Sequence, residues 1–149
     1  MTAISPIARR VLLIDDDDMI AGSLRQYLVT RGCDVDVALE PMAARALMMH
    51  ASYSVVLLDP YLTGGVHRDG SALIDAVCHL QPRASVIILT GYDSPALARI
   101  AADCHVAALL TKPQPVVVLS QLIAAQAAAR AEDAANPPIT SISSTEEVP

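Results

Sequence analysis

Apolar residues along this chain fall into two rhythms that alternate. Short runs rich in β-branched residues stand at VLLI (11–14), DVDVAL (34–39), YSVVLLD (53–59), SVIILT (85–90) and HVAALL (105–110). Each has strand length and is bounded by turn-forming or charged residues. Between them the spacing is helical. Ile20, Leu24, Tyr27 and Leu28 recur at three- and four-residue steps before Gly32, a residue suited to a helix C-terminus. PMAARALMMHA (41–51) opens on proline, which fits a first helical turn. DGSALIDAVCHL (69–80) stops at Gln81-Pro82, a fourth helical stretch runs from Ser94-Pro95 to near Asp103, and a fifth from Pro115 to near Asp133. Strands alternating with helices predict a single α/β domain, a doubly wound parallel sheet of five strands. The runs at 11–14, 53–59 and 85–90 show almost no polar alternation, as strands covered on both faces do. At 34–39, Asp34 and Asp36 alternate with Val35 and Val37, which predicts a half-exposed edge.

Composition narrows the function classes. The 149 residues are 53% hydrophobic with no Trp and no Phe, so the core must be aliphatic. The net charge of -6 argues against a direct nucleic-acid partner, which needs clustered Lys and Arg. No apolar stretch is long enough for a membrane span or a signal-peptide core, so the expected location is cytoplasmic. Cys33, Cys78 and Cys104 lack any CxxC spacing, and all three read as reduced, buried thiols. The adjacent pairs Cys78-His79 and Cys104-His105 do not have zinc-site spacing. The last stretch, ANPPITSISSTEEVP, is rich in Pro, Ser, Thr and Glu and reads as disordered. The expected organisation is an arm over 1–8, a domain over 9–130 and a tail over 131–149.

In an open parallel sheet, ligands bind at the carboxyl ends of the strands. The first strand ends in Asp15, Asp16, Asp17 and Asp18, the third at Asp59, the fourth at Thr90-Gly91, and the fifth just before Lys112-Pro113. Lys112 is the only lysine among ten basic residues. Clustered carboxylates in a partly dry cleft repel one another unless something neutralises them. A hard divalent cation such as Mg²⁺ does so, with carboxylates, waters and phosphate oxygens as ligands. Asp15 and Asp16 are therefore expected to hang over the strand end toward a metal, unburied. Asp17 and Asp18 are expected to cap and begin the first helix.

The ordered pieces VLLIDDDD, VVLLDPYL, VIILTG and LLTKP resemble the receiver domain of bacterial two-component response regulators. The resemblance covers about residues 9 to 130. It implies a flavodoxin-like (CheY-like) fold with strand order 2-1-3-4-5. It implies that Asp59 accepts a phosphoryl group from a sensor histidine kinase or a histidine phosphotransfer protein, in a phosphorelay step that depends on Mg²⁺. Asp15 and Asp16 match the acidic pair that holds the metal, with Asp59 and the backbone carbonyl of Tyr61 beside them. Thr90 matches the hydroxyl residue that bonds a phosphoryl oxygen, and Gly91 the small residue that leaves the site open. Lys112 matches the lysine that pairs with the acceptor, and Lys112-Pro113 a step usually cis. The chain would signal by protein contact without an output domain of its own, and would be no enzyme beyond self-phosphorylation and self-dephosphorylation.

Three features depart from the family pattern. Leu109 stands where an aromatic residue is usual, with Tyr92 as a candidate substitute. Thr63 stands where a proline usually follows the acceptor, in a long loop LTGGVHRDG whose His67 and Arg68 could touch a partner. The surface from 95 to 129 is poor in charge, and VVVLSQLIAAQAAA is apolar nearly all round, which points to burial or to a homodimer or downstream-protein face. Two other readings compete: a pseudo-receiver that is never phosphorylated, and a phosphohydrolase with an aspartyl-phosphate intermediate. The strand sequence DPY lacks the second acid of the DxD pattern typical of such hydrolases. A fragment of a longer regulator would read the same way.

Overall fold

The computed structural model describes residues 9–61, 71–92 and 94–135. The N-terminal arm at 1–8, most of the long loop with Thr63, His67 and Arg68, and the segment from 136 onward lie outside the described residues.

Five strands and five helices alternate: β1 (Arg10–Ile14), α1 (Asp18–Thr30), β2 (Asp34–Ala38), α2 (Pro41–His50), β3 (Val55–Leu58), α3 (Ser71–Leu80), β4 (Ser85–Thr90), α4 (Pro95–Asp103), β5 (Ala108–Thr111) and α5 (Val116–Ala135). The strands form one sheet of order β2-β1-β3-β4-β5, every neighbouring pair parallel. The expected doubly wound, flavodoxin-like topology is thus present.

The unbroken apolar runs become the three central strands because only there are both faces covered. Every residue of β3 and β4 is buried, as are Val11 to Ile14 of β1. One face packs under α2, α3 and α4 through Leu12, Val56, Ile74, Ile88 and Leu97. The other packs under α1 and α5 through Leu13, Leu24, Leu57, Leu89 and Ile123. β2 is an edge strand, as its alternation suggested, but Asp36 is drawn partly inward and accepts a 2.7 Å hydrogen bond from the buried Tyr53 hydroxyl.

Helix ends follow local chemistry. Asp17 caps α1, its carboxylate accepting from the backbone N–H of Met19 and Ile20, as expected. At the far end Gly32, at φ 85°, turns the chain, and the N–H groups of Gly32 and Cys33 close onto the carbonyls of Val29 and Leu28. α4 ends in the same motif, with His105 at φ 56° in the glycine position and Val106 bonding back to Ala101. That turn occupies residues expected to be strand, so β5 starts only at Ala108.

Two expectations are corrected, and a third is narrowed. α5 is not buried all round, which leaves the contact-face alternative: Leu119, Ile123 and Ala127 form its core stripe, while Val117 and Val118 are 46% and 47% exposed. It also continues to Ala135, so residues 131–135, assigned to the tail, are helical; Ala-rich sequence sustains it. Of the cysteines only Cys33 is buried; Cys78 and Cys104 are half-buried at helix ends.

Candidate functional site

The sheet ladder itself places the functional side chains. The Asp15 N–H donates to Ala38 O at 3.1 Å and the Asp59 N–H to Ile14 O at 2.9 Å, each extending the pairing one residue past its strand. Beyond Thr111 the Lys112 N–H donates to Thr90 O at 2.7 Å. The Lys112-Pro113 bond is cis, as the resemblance implied. Asp15, Asp59, Thr90 and Lys112 thereby start from one rigid edge.

One local device then recurs at three strand ends. A side-chain oxygen accepts the N–H two residues on: Asp15 from Asp17 at 3.0 Å, Asp59 from Tyr61 at 2.9 Å, and Thr90 from Tyr92 at 3.0 Å. Asp, Asn, Ser and Thr favour such turns because their short side chains mimic a backbone carbonyl. The device fixes one oxygen of each group and leaves the other oxygen of each carboxylate for a charge. Thr90 is fully buried, and its hydroxyl also donates to Tyr92 O at 3.2 Å.

Lys112 Nζ supplies the charge. It lies 2.8 Å from Asp59 Oδ2 and 3.0 Å from Asp15 Oδ2, with the lysine side chain 22% exposed. Oxygens of Asp15, Asp16 and Asp59 all fall within 4.8 Å of one another. Among the described residues this is the one such group of three acidic, His or Cys side chains. Asp16 is exposed, but Asp15 is 3% exposed and Asp59 8%, contrary to the expectation that Asp15 avoids burial. Charge pairing with Lys112 and the Asp17 N–H offset part of the desolvation.

Asp15 and Lys112 both titrate upward. Burial pushes the Asp15 carboxyl above its usual range, only partly offset by the Asp17 N–H and by Lys112. Burial alone would pull Lys112 down, but its hydrogen bonds to Asp59 and Asp15 outweigh that and raise it. Lys112 therefore remains a cation at neutral pH.

The donor set suits a hard cation: three carboxylates, one of them at the surface, and no sulfur or imidazole. Two aromatic rings border it. Tyr61 and Tyr92 meet edge to face with centroids 5.8 Å apart. That the two rings touch leaves no trace in sequence spacing, because the contact runs across two loops. Leu109 is half-buried against the core, and the Thr90 hydroxyl bonds to the Tyr92 backbone.

Comparison with known proteins agrees with this geometry. Residues 11–124 match the response regulator receiver domain. The chain is 28% identical over 105 residues to the photosynthetic apparatus regulatory protein RegA of Rhodobacter capsulatus, covering 70% of this chain and 55% of RegA. It thus spans about half the length of that relative. Among solved structures, it is similar to a Burkholderia pseudomallei response regulator that carries a phosphorylated aspartic acid, a calcium ion and citrate. That match has 32% identity and a TM-score of 0.67, over 87% of this chain and 75% of that one. It is also similar to the beryllofluoride-activated NtrC4 receiver domain dimer, with 28% identity and a TM-score of 0.69, over 82% and 98% of the two chains. With sheet order, strand-end acids and family match in agreement, this chain belongs to the response regulator receiver domain family.

Proposed function

We propose that this domain is a phosphorelay receiver that takes a phosphoryl group on Asp59, donated by a histidine kinase or a histidine phosphotransfer protein. One observation carries the reading. Asp59 has one carboxylate oxygen held by the Tyr61 N–H, while the other lies 2.8 Å from a lysine ammonium. A carboxylate is a weak nucleophile, but phosphoryl transfer asks chiefly for alignment and charge neutralisation. The backbone ladder fixes the alignment, and Lys112 is placed to follow the charge from the free carboxylate to the phosphoryl oxygens.

Asp15, Asp16, Asp59 and the backbone carbonyl of Tyr61 would hold Mg²⁺. When bound, the metal offsets the negative charge of the phosphoryl oxygens. Thr90, buried and with its hydroxyl bonded to the Tyr92 backbone, would exchange those bonds for a phosphoryl oxygen. That exchange would move Tyr92 and its contact with Tyr61. The local charge would thereby reach the start of α4. The output would be contact with a downstream protein or a second copy of the chain, through the face spanning 95–129.

The test is treatment with a small acyl-phosphate donor and Mg²⁺, read by intact mass. The expected result is a single phosphoryl adduct that needs Mg²⁺ and is absent in Asp59→Asn. Tight Mg²⁺ binding without any adduct on the wild type would instead favour a pseudo-receiver.

A further inference from the structure

The opposite edge of the molecule holds a second cluster of reactive side chains. Cys78 lies in the last turn of α3, and Cys104 is the C-terminal cap of α4. The Cys78 Sγ sits 3.9 Å from Cys104 O, so the ends of the two helices bring both cysteines into one neighbourhood. Cys104 Sγ faces the Asp75 carboxylate at 4.0 Å. Both cysteines line a cavity of 780 Å³ beside Ala84 and Val86, at the amino end of β4 and so far from Thr90. His79, His105 and Arg130 line the same cavity.

The backbone at this place is unusual. His105 is the one non-glycine residue with positive φ among the described residues. α1 makes the same helix-ending turn with glycine, the residue that adopts it at least cost. Here the chain keeps His105, which lines the same cavity as the two thiols. The thiolate is the attacking form of a cysteine. The sulfur and imidazole atoms do not converge as metal ligands do; among the described residues that closeness belongs to the three aspartates.

We propose that Cys78 and Cys104 form a reversible intramolecular disulfide with low-molecular-weight disulfides as the oxidant, a modification that staples the C-terminal end of α3 to that of α4. The Cys104 thiolate attacks one sulfur of the oxidant RS–SR. The S–S bond of the oxidant breaks, and the departing thiolate takes up the proton that Cys104 released. Cys78 then loses its proton and attacks the Cys104 sulfur, expelling the second RS⁻, which is protonated in turn. Two protein thiols are oxidised by two electrons and RS–SR is reduced to two RSH. Cys104 attacks first because Cys78 is held back from ionising. Burial, contact with Cys104 and the charge of Asp75 push Cys78 up to about 12.

The staple has a consequence for the phosphoryl site, resting on the proposed function. α4 starts at Pro95, just after the Thr90–Tyr92 turn, and ends at Cys104. A disulfide there fixes the far end of the element that Thr90 would move.

The experiment incubates fully reduced protein with glutathione disulfide, blocks remaining thiols with iodoacetamide under denaturing conditions, and maps non-reduced peptides by mass. The expected product has one alkylated cysteine, Cys33, and a peptide joining Cys78 to Cys104. Cys33→Ala should close the same bond, and hydrogen exchange should show α4 amides more protected after oxidation in the wild type. Three alkylated cysteines, a stable glutathione adduct without closure, or bonds only between chains would overturn the proposal. Asp59→Asn should close the bond as the wild type does, so this outcome is independent of phosphoryl acceptance.

Discussion

Lys112 carries the electrostatics of the phosphoryl site at the residue scale. It shares one ammonium between two carboxylates, at 2.8 Å and 3.0 Å. A divalent cation at Asp15, Asp16 and Asp59 must compete for the same oxygens. Lys112→Met should therefore tighten Mg²⁺ binding by about tenfold, or ~1.4 kcal/mol, since close charges near a surface interact on a scale of ~4 kcal/mol before screening. It should also lower stability without metal by roughly 2 kcal/mol, because Asp15 stays buried and loses its counter-charge. Calorimetric Mg²⁺ titration and urea unfolding check both effects; unchanged Mg²⁺ affinity would show that the lysine does not hold these oxygens. The pH dependence follows from sign. The folded pKa of Lys112 lies above its ordinary 10.5, so its contribution is complete below that value and is lost as pH climbs through the folded pKa. That alkaline loss should vanish in the variant. Asp59, Asp16 and Lys112 were legible in the sequence because strand ends of a parallel sheet converge. The burial of Asp15 was not, because a run of four aspartates with Lys112 expected nearby shows that the charge can be offset but not that the Asp17 N–H and the ammonium together let this carboxylate sit inside.

Among the secondary-structure elements, Gln81 joins what the strand and helix patterns leave separate. It is buried at the end of α3, where the sequence showed only a stop before proline. Its side-chain amide donates to Met48 O at 2.9 Å and Ala51 O at 2.7 Å, and its oxygen accepts from the Tyr53 N–H at 2.9 Å. One amide thus closes the end of α2 and the approach to β3. Gln81→Leu keeps similar volume and leaves these backbone groups without that partner. At ~1–3 kcal/mol for a buried unsatisfied group, partly relieved by water, the loss should be about 2–4 kcal/mol in urea unfolding. A loss below ~1 kcal/mol would mean that the groups find other partners. The elements themselves were readable because their periodicities are local. Gln81, the Tyr53–Asp36 bond and the Cys78–Cys104 contact were not, since each joins residues 17 or more positions apart. The late start of β5 has a different cause: an apolar run at 105–110 gives no hint that His105 will adopt a left-handed turn.

For the whole molecule, the sheet is covered unequally between its centre and its β5 edge. The central strands are sealed by helices on both sides, but β5, at the edge, has Ala108, Leu109 and Leu110 only half-buried and Thr111 exposed. Beside it α5 presents Val117 and Val118 to solvent. An edge strand with an apolar neighbour is a ready pairing surface. The proposed occupant is a second copy of the chain, engaged when Asp59 is phosphorylated and α4 shifts. A modest interface of about 1,200 Å² or less would make such a dimer weak and dependent on concentration. Light scattering across a concentration series should give the monomer mass for untreated protein and a rise toward twice that mass with acyl-phosphate donor and Mg²⁺. Val118→Glu should remove the rise and change stability by no more than ~0.5 kcal/mol, since the side chain it replaces is half exposed. Asp59→Asn should remain monomeric with the donor, which separates a phosphoryl-driven dimer from simple apolar association. A monomer mass at every concentration in the treated wild type would rule out the second copy and leave this face to a different protein.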